Sequence, residues 1–202
     1  YFMVGIVLVA LLLLLCIFTS IFNKYDPLAT DVVYRLQPPS FTHFMGTDDV
    51  GRDVFARAIQ GIRISVFIGI LVTAISGVFA TFIGIVSAIY PIASRILMRI
   101  VDGIMAFPTI IFAIILMGVL GAGLVNIVVA LSISYIPMIA RVARITTLEV
   151  LSREYVDSVV VLGKSKWYII CKYILPNIIP HVMIQITYTF AMAILHESIL
   201  SF

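Results

Sequence analysis

Residues 154–177 read EYVDSVVVLGKSKWYIICKYILPN, and the fold turns on how that stretch is read. Glu154, Asp157, Lys164, Lys166 and Lys172 crowd around a central Gly163 and Trp167, the single tryptophan of the chain. Directly afterwards, residues 173–195 hold no Asp, Glu, Lys or Arg, and upstream the run 103–140 holds none either. A polar, amphipathic piece is thus set between stretches whose side chains have no use for water.

Composition says what those stretches dissolve in. Of 202 residues, 62% are hydrophobic and 11% charged, more apolar surface than a soluble core can bury, so the bilayer is the solvent. Residues 2–22 (FMVGIVLVALLLLLCIFTSIF) are charge-free and would make about 31 Å of helix, enough to cross a hydrocarbon core. A signal peptide would have a shorter apolar region ending in a small-residue cleavage site. Further spans are expected at 64–90, from 103 to about 120, from about 124 to 140, and at 173–195, the long run being split at GVLGAG, residues 118–123. All are expected to be helical, because lipid offers no partner to an unpaired backbone group. Thr73, Gly77, Thr81, Gly84 and Ala88 form a small-residue stripe that lets another helix approach closely. Pro91, Pro108 and Pro137 end or kink helices. Cys16 and Cys171 have no framework spacing and read as packing residues. The start at Tyr1 without methionine and the stop at Phe202 inside an apolar run read as cut ends.

Orientation follows from the basic loops. Segment 141–172 has Arg141, Arg144, Arg153, Lys164, Lys166 and Lys172 against three acids, and segment 91–102 has Arg95, Arg99 and Asp102. Placing both in the cytoplasm leaves the extracytoplasmic loop region at 24–63, although that region carries five Lys/Arg balanced by five Asp.

The sequence completes no catalytic pattern. Gly163-Lys164-Ser165 imitates the end of a GxxxxGK[ST] phosphate loop, but the first glycine, which lets the backbone wrap the phosphates, is Ser158. Ser76 lies in AISG, with Ala74 where a GxSG nucleophile motif needs glycine, and nothing connects His181 or His196 to it as a base. His43, His181 and His196 are dispersed and neither cysteine has a nearby partner, so no metal-ligand spacing is present. The expectation is a chain with no catalytic residue, metal or cofactor of its own.

For the segment 152–172, Ser152 is a candidate N-cap, Glu154 favours the first turn, Gly163 suits a left-handed stop, and Ser165 can cap a second short helix through Trp167 and Ile170. Val156, Val159, Val160 and Gly163 share one face. Pro176 then starts the next span. Periodicity alone leaves two readings of this helix–glycine–helix elbow: an amphipathic helix lying on the membrane, or a knob for a groove on a cytoplasmic partner.

Motifs separate the two. Glu154…Gly163…Ile174-Leu175-Pro176 resembles the EAA loop of ABC-importer permeases, with Tyr155 and Val156 in place of the two alanines. HFMGTDDVGRDVFAR (43–57), GIRISV (61–66), MRIVDGIMAFP (98–108), GAGLVNIVVAL (121–131), ARVAR (140–144) and the terminal HESILSF resemble the dipeptide/oligopeptide/nickel permease family, in its second permease subunit. The resemblance covers His43 to Phe202. It implies an all-α polytopic type I ABC importer transmembrane domain, a single permease domain over 1–202 with a sixth span expected after Phe202, in a bacterial or archaeal cell membrane. Implied partners are a homologous second permease, two cytoplasmic ABC ATPases carrying ATP and Mg, an extracytoplasmic binding protein and membrane lipid, but no nucleic acid. By the same resemblance the elbow is a coupling helix. Glu154, Tyr155, Val156, Asp157, Val159, Leu162, Gly163 and Trp167 meet the ATPase, with Val156, Val159, Leu162 and Trp167 as apolar anchor, and Ile174, Leu175 and Pro176 link it to the span.

Two polar groups keep alternatives open. Asp48, Asp49, Arg52 and Asp53 are either a helix start with an exposed ion-paired face or a loop that docks the binding protein or closes an outer gate. Glu197, about 36 Å along a helix from Tyr173, is an interfacial anchor or part of the pathway. A stand-alone channel or proton-driven transporter is the competing class, and it would need ionisable groups near the bilayer midplane, which runs 64–90 and 103–140 lack. The family handles peptides, nickel and metal–chelator complexes, and without a His/Cys/carboxylate cluster the chain is expected to pass di- or oligopeptides, nickel being the alternative.

Overall fold

Asp53 starts the first long helix. Its carboxylate accepts the Ala56 N–H at 2.7 Å, occupying one of the donors that a helix N-terminus leaves without a partner. From there α1 runs Val54–Ile89, and α2 (Pro91–Met105), α3 (Thr109–Leu120), α4 (Leu124–Leu151), α5 (Glu154–Val161), α6 (Lys166–Ile169), a π-helical segment Ile170–Ile174 and α7 (Leu175–Leu200) follow. The computed structural model describes residues 25–201 together with Leu14; the span expected at 2–22 lies outside those residues. The chain falls into two compact units, 1–67 and 68–202, divided within α1.

In the first unit, residues 25–53 are held by turns. Gly46 (φ +73°) and Gly51 (φ +80°) take left-handed conformations. A side chain at Gly51 would place its Cβ 1.7 Å from the Asp31 carbonyl oxygen, so glycine is obligatory there. Thr47 pairs with Asp53 in an isolated antiparallel bridge, and the Thr47 hydroxyl accepts the Gln37 N–H at 2.8 Å. Helix begins at Val54, ten residues before the charge-free run that marked the expected span. The first turns of α1 carry Arg57 and Arg63, which a charge-free criterion reads as loop.

In the second unit α4 is the central helix. It packs against α2, α3 and α7 and buries Leu131, Tyr135, Ile139, Ala140, Ala143 and Val150. The α3–α4 turn is made by Gly121 (φ +84°) and Gly123 (φ +149°), and the Asn126 amide donates to the carbonyls of Leu120 (2.8 Å) and Gly121 (3.0 Å). The small-residue stripe of α1 is a packing surface, as expected from its spacing. An added Cβ at Gly84 would lie 2.5 Å from the Ala143 Cβ and 2.8 Å from the Ala140 carbonyl oxygen, and one at Gly77 would lie 2.8 Å from Ile186. The hydroxyls of Thr73 and Thr81 turn back onto carbonyls of their own helix, Gly69 (2.8 Å) and Gly77 (2.6 Å), and so cost nothing against apolar neighbours.

One expected span is corrected. Residues 103–120 do not form a continuous crossing: α2 ends at Met105, α3 begins at Thr109, and the two helices meet at 94°. Pro108 disfavours helical backbone at Phe107 and has no N–H to continue the ladder, which a hydropathy window does not register. With 12 residues, α3 is about 18 Å long, short of the ~30 Å hydrocarbon core. Among the described residues three helices are long and apolar enough to cross: Val54–Ile89, Leu124–Leu151 and Lys166–Leu200; the bent pair is a fourth if taken together.

Gly84 gives a direct check on the packing. Alanine there gains about 0.5–1 kcal/mol of helix preference but overpacks against α4 at about 1–3 kcal/mol. Gly84→Ala should therefore lower the melting temperature of the purified protein, whereas Gly103→Ala, with nothing within 4 Å of its added Cβ, should leave it unchanged or raise it.

Candidate functional site

The elbow hangs from the end of α4. Ser152 closes that helix instead of opening the next, its hydroxyl donating to the Glu149 carbonyl at 2.8 Å. The N-cap position of α5 belongs to Arg153, whose side chain reaches Glu149 at 3.2 Å and leaves the cap without a side-chain acceptor. The expected Ser152 cap is thus replaced, because α4 continues eleven residues past the apolar run that ends at Ala140.

Gly163 breaks the elbow as expected. At φ +73° its N–H donates to the Val160 carbonyl at 2.9 Å, and the Lys164 N–H reaches the Val159 carbonyl at 3.4 Å. Ser165 then caps α6, its hydroxyl accepting the Tyr168 N–H at 3.3 Å. The chain does not loop again before the next span: α6 passes through the π-helical turn Ile170–Ile174 straight into α7. Ile174 and Leu175 therefore lie inside one long helix, and Pro176, which lacks an N–H, follows its π-helical turn.

Burial divides the expected anchor residues. Val156 is 1% exposed and packs with Val150 of α4, Ile169 of α6 and Ile174 in one apolar cluster, with Val159 against its edge. Val156 is thus rooted in the bundle, and Val159 is half-buried at the edge of the cluster. The outer surface is apolar instead at Val160, Val161 (86% exposed), Leu162 (74%) and Trp167 (72%). Glu154, Tyr155 and Asp157 are exposed on α5. A face known only by period carries no indication of which side is inward, so the burial of Val156 and the exposure of Val161 were not legible in the spacing.

An aromatic and basic cluster braces the same joint. The rings of Tyr155 and Tyr173 lie 6.0 Å apart and those of Tyr168 and Tyr173 6.1 Å apart. Lys172 donates to the Tyr168 hydroxyl at 2.9 Å, and Lys166 sits 4.8 Å above the Tyr90 ring at the α1–α2 junction. The four-residue spacing of Tyr168 and Lys172 was the available signal for this bracing.

The outer cluster serves the loop's own architecture. Asp53 caps α1 and also meets His43 Nδ1 at 2.8 Å, both side chains being buried. Asp48 accepts the backbone N–H groups of Val50 (3.0 Å) and Arg52 (2.9 Å) and the Arg52 guanidinium (2.8 Å), and it pairs with Arg57. Asp49 is exposed. Glu197 is not an exposed anchor: it is 5% exposed, and the Ser201 hydroxyl donates to it at 2.8 Å. Beside it Tyr135 of α4 and His196 of α7 are hydrogen-bonded at 2.7 Å with nearly parallel rings.

Residues 80–202 match the family described as binding-protein-dependent transport system inner membrane component, and residues 1–39 match the N-terminal TM domain of oligopeptide transport permease C. A putative peptide transport system permease protein of Brucella suis biovar 1 is 38% identical over 201 residues, all of this chain and 68% of that protein. A probable D,D-dipeptide transport system permease protein of Escherichia coli K12 is 36% identical over 97% of this chain and 66% of its own. The oligopeptide transport system permease protein of Bacillus subtilis 168 is 35% identical over 99% and 66%. Among the described residues the architecture is helical, with several apolar crossings, as in a multi-pass membrane permease. The chain belongs to the family of binding-protein-dependent transport permeases, the transmembrane domain of ABC importers.

Asp48 lies outside the long apolar crossings and has a predictable acid response. Burial opposes its ionisation, but the N–H groups of Arg52 and Val50 and the Arg52 guanidinium outweigh that and hold its carboxyl well below the usual carboxylate range. A folded value below the unfolded one means a contribution fully present above about pH 4 and lost only as pH falls through the folded value. Limited proteolysis of the loop should therefore stay slow from neutral pH down to about pH 4. Asp48→Asn should make cleavage fast already at pH 7.

Proposed function

We propose that this chain is one of two permeases forming the membrane pathway for di- or oligopeptides delivered by an extracytoplasmic binding protein, with ATP hydrolysed on two partner ABC subunits. Family membership supports the importer class, and the names of its relatives, a peptide, a D,D-dipeptide and an oligopeptide permease, support a peptide substrate. The observation that carries the mechanism is the division of the elbow into a buried root, Val156 with Ile169 and Ile174, and an exposed apolar tip, Val160, Val161, Leu162 and Trp167.

In this mechanism the tip sits in a groove of an ATPase subunit. Closure of the ATPases on ATP moves the tip. Because the root is packed against α4 and continuous with α7, the two helices follow as a body and the pathway turns from inward-open to outward-open. Burying one fully exposed Leu or Trp at such a contact contributes about 1.5–3 kcal/mol, so a tip of this size is a credible anchor for a reversible contact. Glu154 and Asp157 at the start of α5 and Lys164 beyond Gly163 rim the tip with charge of both signs, setting its register in the groove.

Leu162→Asp and Trp167→Ala should each leave expression and membrane insertion intact, since both side chains are exposed, while lowering substrate-stimulated ATP hydrolysis at least tenfold. Gly163→Asp should behave alike: no atom lies within 4 Å of an added Cβ, so the fold bears only a left-handed backbone cost of about 1–2 kcal/mol while a carboxylate enters the apolar tip. Normal uptake by any of these variants at normal expression would overturn the coupling role. Substrate is read separately, by uptake of labelled peptide and labelled nickel in cells with and without the subunit. Loss of peptide uptake alone is expected, and loss of nickel uptake alone would replace the substrate and leave the coupling mechanism standing.

A further inference from the structure

The coupling elbow is not the only amphipathic element. Along α2, Ile92, Ile96 and Ile100 recur every fourth residue and are exposed, with Arg95 and Arg99 exposed beside them. At 100° per residue the three isoleucines span about 80° of arc, and both arginines fall within about 60° of their edge. Between them these five side chains line a shallow groove of about 470 Å³. The opposite side of α2 is fixed to the bundle, with Val101 buried in the core and Ser94 bonded to Arg144 at 3.1 Å; Asp102, next to the arginines on the helix surface, is paired with Arg141. Arg95 and Arg99 have no ion-pair partner among the described residues.

Direction completes the picture. The helix α3 packs against α4, one of the crossings, and α2 meets α3 at 94°, so α2 turns sharply away from the line of α3. The basic-loop rule puts residues 91–102 on the cytoplasmic side, where the leaflet is anionic. A helix in the membrane plane, with branched apolar side chains on its free face and guanidinium groups at their edge, has the chemistry of an interfacial helix. Guanidinium presents paired donors that match two phosphate oxygens. A water-facing surface would gain nothing from three exposed isoleucines in line.

We propose that α2 lies in the cytoplasmic membrane interface, its Ile92, Ile96 and Ile100 among the acyl chains and its Arg95 and Arg99 binding the phosphates of anionic phospholipids. Because Asp102 and Arg141 tie α2 to α4, and Tyr90 at its start lies under Lys166 of the elbow, the bound lipids brace the frame from which the elbow hangs.

The test uses the complete transporter in nanodiscs of phosphatidylcholine with or without phosphatidylglycerol. A nitroxide on Ile96→Cys, in a Cys16→Ser/Cys171→Ser background, reports collisions with oxygen and with a water-soluble nickel chelate. A depth just below the headgroups, in the upper acyl region, with oxygen favoured over the chelate, is expected. Free access of the chelate would put α2 in water, and exclusion of both would mean that a protein covers it; either overturns the proposal. In parallel, native mass spectrometry titrates phosphatidylglycerol onto the assembled complex. Arg95→Gln/Arg99→Gln should weaken its binding about 30-fold, from about 1 kcal/mol for each basic residue, and Arg95→Lys/Arg99→Lys, which keeps the charge but not the paired donors, should recover only part of it. Unchanged affinity in the glutamine variant, with the complex intact, would show that the arginines do not hold the lipid.

Discussion

The contact on which the account depends is the burial of Val156 against Val150, Ile169 and Ile174. It joins three pieces of chain that sequence separates: the end of α4, the short α5 and the start of the last crossing. A two-turn helix such as α5 has no stability of its own, so without this apolar root the elbow would be a floppy excursion. Full burial of a valine is worth about 1.5–3 kcal/mol, and several such residues meet here. The same cluster contains Val101 of α2, Ala140 and Ala143 of α4 and Ile178 of α7, so a displacement of the elbow reaches the crossings through packed side chains.

Close approach of the crossings has a different origin. Hydrophobic burial gives little between helices already in lipid, and contact rests on small residues and van der Waals fit. Gly84 supplies this against α4, and Gly69 and Gly77 against α7. The aqueous elbow is thus held by apolar burial and the lipid-embedded helices by surface smoothness, and the joint between the two regimes is the unbroken helix from Lys166 to Leu200. Its π-helical turn at Ile170–Ile174 changes the side-chain register where it leaves the elbow, so that Ile169 and Ile174 can both face the core.

Local rules were the legible part of the sequence. Gly163 and Ser165 stand where a positive φ and a helix cap are needed, and both do what their chemistry requires. The spacing of Gly77 and Gly84 announced a packing face, and the motif order announced the family. What escaped needs the third dimension. Hydropathy counts residues but not direction, so the right angle at Pro108 read as one crossing. Period places Val156 and Val160 on one face but is silent on which is covered, and the structure buries the first and exposes the second. His43 and Asp53 meet through turns at Gly46 and Gly51, and no spacing rule joins a loop histidine to a helix cap. Glu197 is distinguishable as a buried group only once α4 and α7 are laid side by side.

The central claim is that the elbow and α4 move as one body while the transporter works. Spin labels at Val161→Cys on the tip and Val125→Cys at the far end of α4, both exposed positions, measure it in the complete transporter with Cys16 and Cys171 replaced by serine. The account predicts one narrow distance distribution with the same maximum in the nucleotide-free and ATP-trapped states. A distribution that broadens or shifts with ATP would mean that the elbow flexes at its root, and the buried cluster would then not be what transmits the motion.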